Sequence, residues 1–334
     1  MKLGGFPERI WDERRPRLLF LATAMLLLGT ITWPNPPPPP PRPGAAALAI
    51  SPVPLDAADP GRRGVGALLF LAGWALTSDD PRFGGLSGIQ VDNGQVTAIA
   101  DIGLLTRFPV PAGAGRLPVR FDPLVAGPGP RTRKSNRDTE AMLIRGGRLW
   151  IAFEGRNMIW RYDLRSLAPQ SAARPRAMRR WGGNRGPEAL VRLADGRFLV
   201  FAEGRDDARP DSDALLFAGD PSIAGTDFET LRYRRPAGFR VTDAALLPDG
   251  RILILNRRFR LTEGWSARLA VARIGESGTI EGREVAALES PLAVDNMEAL
   301  GVTREEGRTI VWIASDDNFS PLQRTLLLKF ELRE

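Results

Sequence analysis

Five times along this chain an apolar β-hairpin recurs, and an acid stands at one or both of its open ends. Asp138-Thr139-Glu140 leads into Ala141–Ile144, a Gly146-Gly147 turn and Leu149–Phe153, and Glu154-Gly155-Arg156 follows. Gly186-Pro187-Glu188 leads through an Asp195-Gly196 turn to Phe198–Ala202 and Glu203-Gly204-Arg205. Thr242-Asp243 leads through Asp249-Gly250 to Ile252–Leu255 and Asn256-Arg257-Arg258. Asn296-Met297-Glu298 leads through Glu306-Gly307 to Ile310–Ala314 and Ser315-Asp316-Asp317-Asn318. A weaker copy comes first, with Gly85-Leu86-Ser87-Gly88, an Asn93-Gly94 turn, Val96–Ala100 and Asp101.

Asn-Gly, Asp-Gly and Gly-Gly between apolar runs signal tight hairpins, because these residues accept positive φ. In an antiparallel hairpin the start of the first strand lies beside the end of the second. Glu140 therefore neighbours Glu154, Glu188 neighbours Glu203, and Glu298 neighbours Asp316. Copies arranged radially put all of these acids at one end of the molecule, as a ring of carboxylates. A repeat of roughly 50 residues is the signature of a β-propeller. About 20 strand-like runs between Val65 and Leu332, with no long helical periodicity, predict an all-β chain of five four-stranded blades. The last copy has three strands, and the early run Gly66–Leu76 is expected to supply its fourth and close the ring, which removes exposed strand edges. A sixth, degenerate blade within Leu104–Pro130 is the alternative.

The chain has neither Cys nor His. Disulfides, thiolate metal sites and His-based triads are excluded, as are most zinc sites. Chemistry must run on carboxylates, Arg, hydroxyls or a hard metal. Convergent carboxylates repel and hold protons unless a cation neutralises them. Oxygen-only donors fit calcium first and magnesium second. The candidate ligands are Glu140, Glu154, Glu188, Glu203, Asp243, Glu298, Asp316 and Asp101. Arg156, Arg205, Arg257 and Arg258 follow the same strand ends, and their planar forks suit a phosphate or carboxylate of a small anionic or ester substrate. Lys134, in the polar loop before Glu140, is a further candidate contact. No residue is assigned as catalytic. Trp150, Trp160, Trp181 and Trp312 read as core.

The formal charge is +7, nearly all of the base being Arg. The arginines are scattered rather than striped, which argues against nucleic-acid binding. Residues 1–17 form a basic segment containing Arg14-Arg15-Pro16-Arg17, and 18–33 an apolar signal or anchor helix. Residues 34–60, with the tract Pro36–Pro41, read as a stiff spacer, and 61–334 as the propeller domain. Ala47-Leu48-Ala49 matches a cleavage pattern but lies far from the apolar run, which favours an uncleaved anchor. The expectation is a monomeric, periplasmic or otherwise extracytoplasmic domain, held at the inner membrane by its N-terminal segment.

Gly85-Leu86-Ser87-Gly88, the Glu-Ala strand starts at Glu140, Glu188 and Glu298, the Glu154-Gly155 and Glu203-Gly204 strand ends, and Ser315-Asp316-Asp317-Asn318-Phe319-Ser320 resemble the phytase-like domain family, also named for esterase-like activity of phytase. The family pattern tends to an acid followed by Arg where this chain has Asn256-Arg257. The resemblance implies a propeller with a calcium-dependent ester or phosphoester hydrolase site. Two alternatives stand beside it. One is a lactonase-type propeller, whose calcium would be held by carboxylates with Asn256, Asn296 and Asn318. The other is a non-catalytic propeller that binds a ligand or a cell-envelope partner.

Overall fold

Residues 44–182, 185–204 and 211–333 are described by the computed structural model. β1 (Gly44–Pro52), β2 (Gly64–Val65) and β3 (Leu68–Thr77) precede the repeats. The first repeat forms β4 (Leu86–Asp92), β5 (Gln95–Ala100), β6 (Leu104–Pro109) and β7 (Gly115–Pro123). The second forms β8 (Thr139–Arg145), β9 (Arg148–Phe153), β10 (Met158–Asp163) and β11 (Pro169–Ala173). The third forms β12 (Pro187–Arg192), β13 (Phe198–Ala202), β14 (Asp211–Phe217) and β15 (Phe228–Arg234). The fourth forms β16 (Arg240–Leu246), β17 (Ile252–Arg260), β18 (Gly264–Ile274) and β19 (Thr279–Glu289). The fifth forms β20 (Met297–Glu305), β21 (Arg308–Ser315) and β22 (Thr325–Leu332).

Each repeat is an antiparallel meander, and its turns follow the sequence. Asn93-Gly94, Gly146-Gly147 and Glu306-Gly307 have positive φ at both central residues, as a two-residue hairpin turn matched to strand twist requires. Asp195-Gly196 and Asp249-Gly250 sit in longer loops in which only the glycine is left-handed. There the Asp accepts a hydrogen bond from the N–H of Arg197 (3.0 Å) or Arg251 (2.9 Å).

The first strands of the repeats touch in cyclic order, β4 to β8, β12, β16, β20 and back to β4. The result is an all-β, propeller-like ring of sheets. β3 pairs with β22, with Leu326 opposite Ala75 and Leu328 opposite Gly73, so the early strand completes the last repeat. Leu104–Pro130 holds β6 and β7, which extend the β4–β5 sheet and do not begin a further one.

Burial explains why the second strands are continuously apolar. β9, β13 and β21 are buried on both faces over most of their length. Each sheet is covered by its neighbours on both sides, so alternation is lost. The core accordingly divides into five clusters, one for each pair of adjacent repeats. Trp150, Trp181 and Trp312 belong to it.

One expected boundary moves. Residues 34–60 read as a spacer, yet Gly44–Pro52 is strand β1, paired to β3 on one side and β7 on the other. The prolines that would prevent pairing end at Pro43, and from there Leu48 and Ile50 turn one face into the core. A second join is the parallel pairing of β15 with β19. Residues 1–43, including the apolar run and the proline tract, lie outside the described residues. Among those described, no helix is long and apolar enough to cross a membrane.

Candidate metal centre

The carboxylates are aimed by β-bulges. In every repeat the pairing of the first two strands skips one residue near the start of the first strand: Ser87, Glu140, Glu188, Thr242 and Glu298. A bulge leaves its extra residue out of the ladder and re-aims that side chain. Three of the five positions hold Glu. The other two hold hydroxyls tied to the next repeat, Ser87 Oγ donating to the Thr139 carbonyl at 2.5 Å and Thr242 Oγ1 to the Met297 carbonyl at 3.1 Å.

A second set comes from the ends of the second strands. The N–H groups of Asp101, Glu154, Glu203 and Asp316 donate to the carbonyls of Gly85 (2.8 Å), Asp138 (2.9 Å), Gly186 (3.3 Å) and Asn296 (2.9 Å). These carbonyls immediately precede, or lie one residue from, the matching first strand. In the fourth repeat the equivalent place, opposite Arg240, is taken by Arg257. The sequence comparison placed Asn256 there, one residue off. Asn256 is fully buried and donates instead to the Tyr233 hydroxyl at 3.1 Å.

Arg257 is thus a cation set into a ring of acids. Its Nη1 lies 2.6 Å from Glu298 Oε1 and also donates to Asn296 Oδ1, and its Nη2 lies 3.8 Å from Glu203 Oε1. Burial works to lower its pKa, but Glu298, Glu203, Glu188 and Asp316 together hold it above the ordinary value. Arg240 adds a second contact to Glu203, at 3.2 Å. On this side the ring carries its own counter-charge.

Asp138, Glu140 and Glu154 each place a carboxylate oxygen so that all three lie within 4.8 Å of one another. Calcium–oxygen distances are about 2.3–2.6 Å, so oxygens up to roughly 5 Å apart can share one ion. The donor set fits a hard cation and can hold one, with carbonyls or water completing the shell. Burial first, then Asp138, Glu154, Glu298 and Asp101, drive the Glu140 carboxyl well above the usual range. Glu188 is raised by burial and by Glu140, Glu203, Glu154 and Glu298. Asp316 is raised by burial, Asp101 and Glu298. Glu298 reaches about 6, burial raising it, Arg257 opposing and Glu203 adding. These mutual fields bring seven of the expected acids to one mouth: Asp101, Glu140, Glu154, Glu188, Glu203, Glu298 and Asp316.

Asp243 departs from the expectation. The bulge residue of its repeat is Thr242, and Asp243 accepts from the N–H groups of Ala244 (2.8 Å) and Leu300 (2.7 Å), tying β16 to β20. Arg156 donates from Nε to Asn136 Oδ1 at 2.9 Å, in the loop before Asp138. Arg258 lies over the Phe239 ring and pairs with Glu263 at 2.7 Å. Of the three asparagines, Asn296 brings its side chain to the ring, while Asn318 gives its N–H to Asp316 Oδ1 at 2.6 Å and its Nδ2 to Gln323. Arg205 lies outside the described residues, as does the side chain of Lys134, whose backbone opens a 3-10 turn. Sequence reasoning missed Asp138 and Arg240 as members of the mouth. Asp138 stands immediately before β8 and Arg240 opens β16, the positions that the strand-end residues pair with.

The glycines of the repeated motifs have spatial causes. A Cβ on Gly155 would meet the Ser135 carbonyl at 2.4 Å, and one on Gly186 would meet Glu154 Cγ at 2.4 Å. Backbone packed this closely holds the Glu154 stem in place. The first and last motifs form a clasp. Asp317 Oδ1 accepts from the N–H groups of Gly85 and Phe319, both at 3.0 Å, and Asp317 Oδ2 from Thr325 Oγ1 at 2.9 Å. Gly85 has φ +64°, and a Cβ there would lie 2.5 Å from the Phe319 ring. These motif residues fasten the fifth repeat to the first, where the ring closes.

Several solved structures are similar in outline. An endo-arabinase from Bacteroides thetaiotaomicron is 12% identical, with a TM-score of 0.48, over 75% of this chain and 95% of that one. The Myxococcus xanthus glutaminyl cyclase is 10% identical, with a TM-score of 0.44, over 88% of this chain and 100% of that one. A Dyadobacter fermentans protein of unknown function is 13% identical, with a TM-score of 0.43, over 86% and 95%. No curated protein matches the sequence. The family model described as "Phytase-like: Esterase-like activity of phytase" matches residues 81–319, from the Gly-Leu-Ser-Gly opening to the closing Ser-Asp-Asp-Asn-Phe stretch, and the chain belongs to that family.

Proposed function

We propose that this chain is a calcium-dependent hydrolase of esters or phosphoesters, working at the acid-lined mouth of a five-bladed propeller. The observation that carries this reading is the cluster of Asp138, Glu140 and Glu154, the part of the mouth where carboxylates meet without the Arg257 guanidinium. The cyclic contact of five first strands supports the blade count. When bound, calcium supplies Lewis acidity toward a phosphoryl or carbonyl oxygen and lowers the pKa of coordinated water. Asp138, Glu140 and Glu154 would hold the ion, and Glu188 lies within the field of Glu140 and Glu154. Glu140 must lose a proton to do so, and its raised pKa makes ion binding tighten as pH rises. Arg257, fixed by Glu298 and Glu203, orients an anionic group beside the ion.

The test is hydrolysis of an aryl phosphate and an aryl ester by the full chain, with calcium and with chelator. Calcium-dependent turnover of either substrate, lost in Glu140→Gln, is the expected result. Calcium binding without turnover of either would assign the mouth to a non-catalytic binding role. The lactonase-type reading keeps only Asn296 of its three asparagine side chains, since Asn256 is core and the Asn318 amide faces Gln323.

The N-terminal basic flank, apolar run and proline tract support export and membrane anchoring of a monomeric domain. Residues 1–60 fused to a reporter active only outside the cytoplasm should give signal, and a silent fusion would sink that assignment.

A further inference from the structure

A second cleft, of about 600 Å³, opens on the outer side of the first and second repeats, between the β6–β7 sheet and the turn that joins β10 to β11. Arg107, Arg120, Arg131 and Arg165 line it, against one acid, Asp122. Arg107 and Arg120 stand directly opposite each other across β6 and β7. Like charges so placed repel. Asp122 relieves this by taking both, Oδ2 from Arg107 Nη1 and Oδ1 from Arg120 Nε at 3.0 Å. Arg131 donates to the Leu124 carbonyl, which fixes the guanidinium without neutralising it. Arg165 makes no ion pair among the described residues. Asp163, whose field reaches it, gives its Oδ1 to the N–H groups of Arg165 and Ser166 and to the Ser166 hydroxyl.

A fifth cation backs the same segment. Arg137 is 8% exposed, packs against Gly127, donates from Nη1 to the Asn136 carbonyl, and leaves Nε without a hydrogen-bond partner. No carboxylate pairs with it among the described residues. Burial and the nearby Arg131 both push its pKa down. The cleft therefore carries three positive charges in excess on its walls and another behind them. Four guanidiniums against the single wall acid Asp122 focus a positive potential that favours an anion.

We propose that this cleft binds an anion bearing two or more phosphate groups, independently of any metal. More than one phosphate is favoured because four guanidiniums on the walls offer more paired donors than a single phosphate uses. The volume lies within the ordinary range for a small-ligand site. No aromatic side chain lines the cleft, so nucleic-acid bases would find nothing to stack on. Such phosphates occur free in solution or on a lipid headgroup.

The experiment is calorimetric titration of the full chain with tripolyphosphate, at low salt and with chelator present. Beside it runs sedimentation with phosphatidylcholine vesicles with and without cardiolipin, whose headgroup carries two phosphates. Chelator removes free metal, so metal-bridged binding at the acid mouth does not contribute. Arg120→Gln/Arg165→Gln removes two exposed guanidiniums, its melting curve verifying the fold. It should weaken binding of the preferred probe by at least about tenfold, as loss of a charge-assisted hydrogen bond does. Asp122→Asn should tighten binding. Loss of tripolyphosphate binding in the double variant assigns a free oligophosphate, and loss of vesicle binding alone assigns a headgroup. Equal binding by wild type and double variant, or no binding of either probe, overturns the proposal.

Discussion

Replacing Arg257 by Gln removes the guanidinium that pairs with Glu298 in the ring of acids. Its closest ion pair is with Glu298, at 2.6 Å, and the two side chains are 18% and 14% exposed. At an effective dielectric near 20 that pair attracts by roughly 6 kcal/mol, part of it offset by the cost of desolvating both ions. Breaking a largely buried pair and leaving one charge behind costs about 3–5 kcal/mol. At about 2 °C per kcal/mol for a domain of this size, the melting temperature should fall by about 6–10 °C in chelator at pH 8. The deficit should depend on pH. Glu298 titrates near 6 in the fold, above its ordinary 4.5. A raised carboxyl pKa contributes stability that is fully present below pH 4.5 and is lost as pH rises through 6. Arg257 limits that loss. Without it the folded pKa rises further, each unit worth about 1.4 kcal/mol, and the loss at pH 8 deepens. At pH 4.5 Glu298 is largely protonated in both proteins and the difference should shrink. Melting curves of wild type and variant at pH 4.5, 6 and 8 decide the matter. A variant as stable as wild type at pH 8, or with an equal deficit at pH 4.5, refutes the argument.

Calcium at a hundredfold excess over its dissociation constant should stabilise the wild type by about 2.7 kcal/mol. Glu140→Gln should lose most of that shift, yet melt no lower than wild type in chelator, because one repelling carboxyl is gone. Asp243→Ala should do the reverse, costing about 2–3 kcal/mol in urea titrations by stranding the N–H groups of Ala244 and Leu300, while the calcium shift survives. Gly85→Ala should destabilise by about 2 kcal/mol or more, since its φ of +64° and the Phe319 ring at 2.5 Å both oppose a Cβ. A neutral result by urea titration would mean that the clasp does not fasten the ring.

The repeat made most of this molecule readable in one dimension. Hairpin turns are local, so Asn93-Gly94 and Gly146-Gly147 announced their strands through φ preferences alone. Pairing within a hairpin then placed Glu140 beside Glu154 and Glu298 beside Asp316, because antiparallel geometry fixes which ends meet. The incomplete last repeat likewise called for β3, since an unpaired edge is costly. What failed was everything finer than one residue of register or carried between sheets. A bulge shifts the count by one, so Thr242 rather than Asp243, and Arg257 rather than Asn256, occupies the ring. Asp138 joins the cluster because its place before β8 pairs with Glu154, which composition does not display. β1 looked like spacer because a lone strand has no partner in its own sequence neighbourhood, and β3 and β7 supply the pairing. Residue types and period set the architecture and the oxygen-only chemistry. Which acids meet, and which of them Arg257 neutralises, depends on contacts between chain segments far apart in sequence, and only the packed ring decides those.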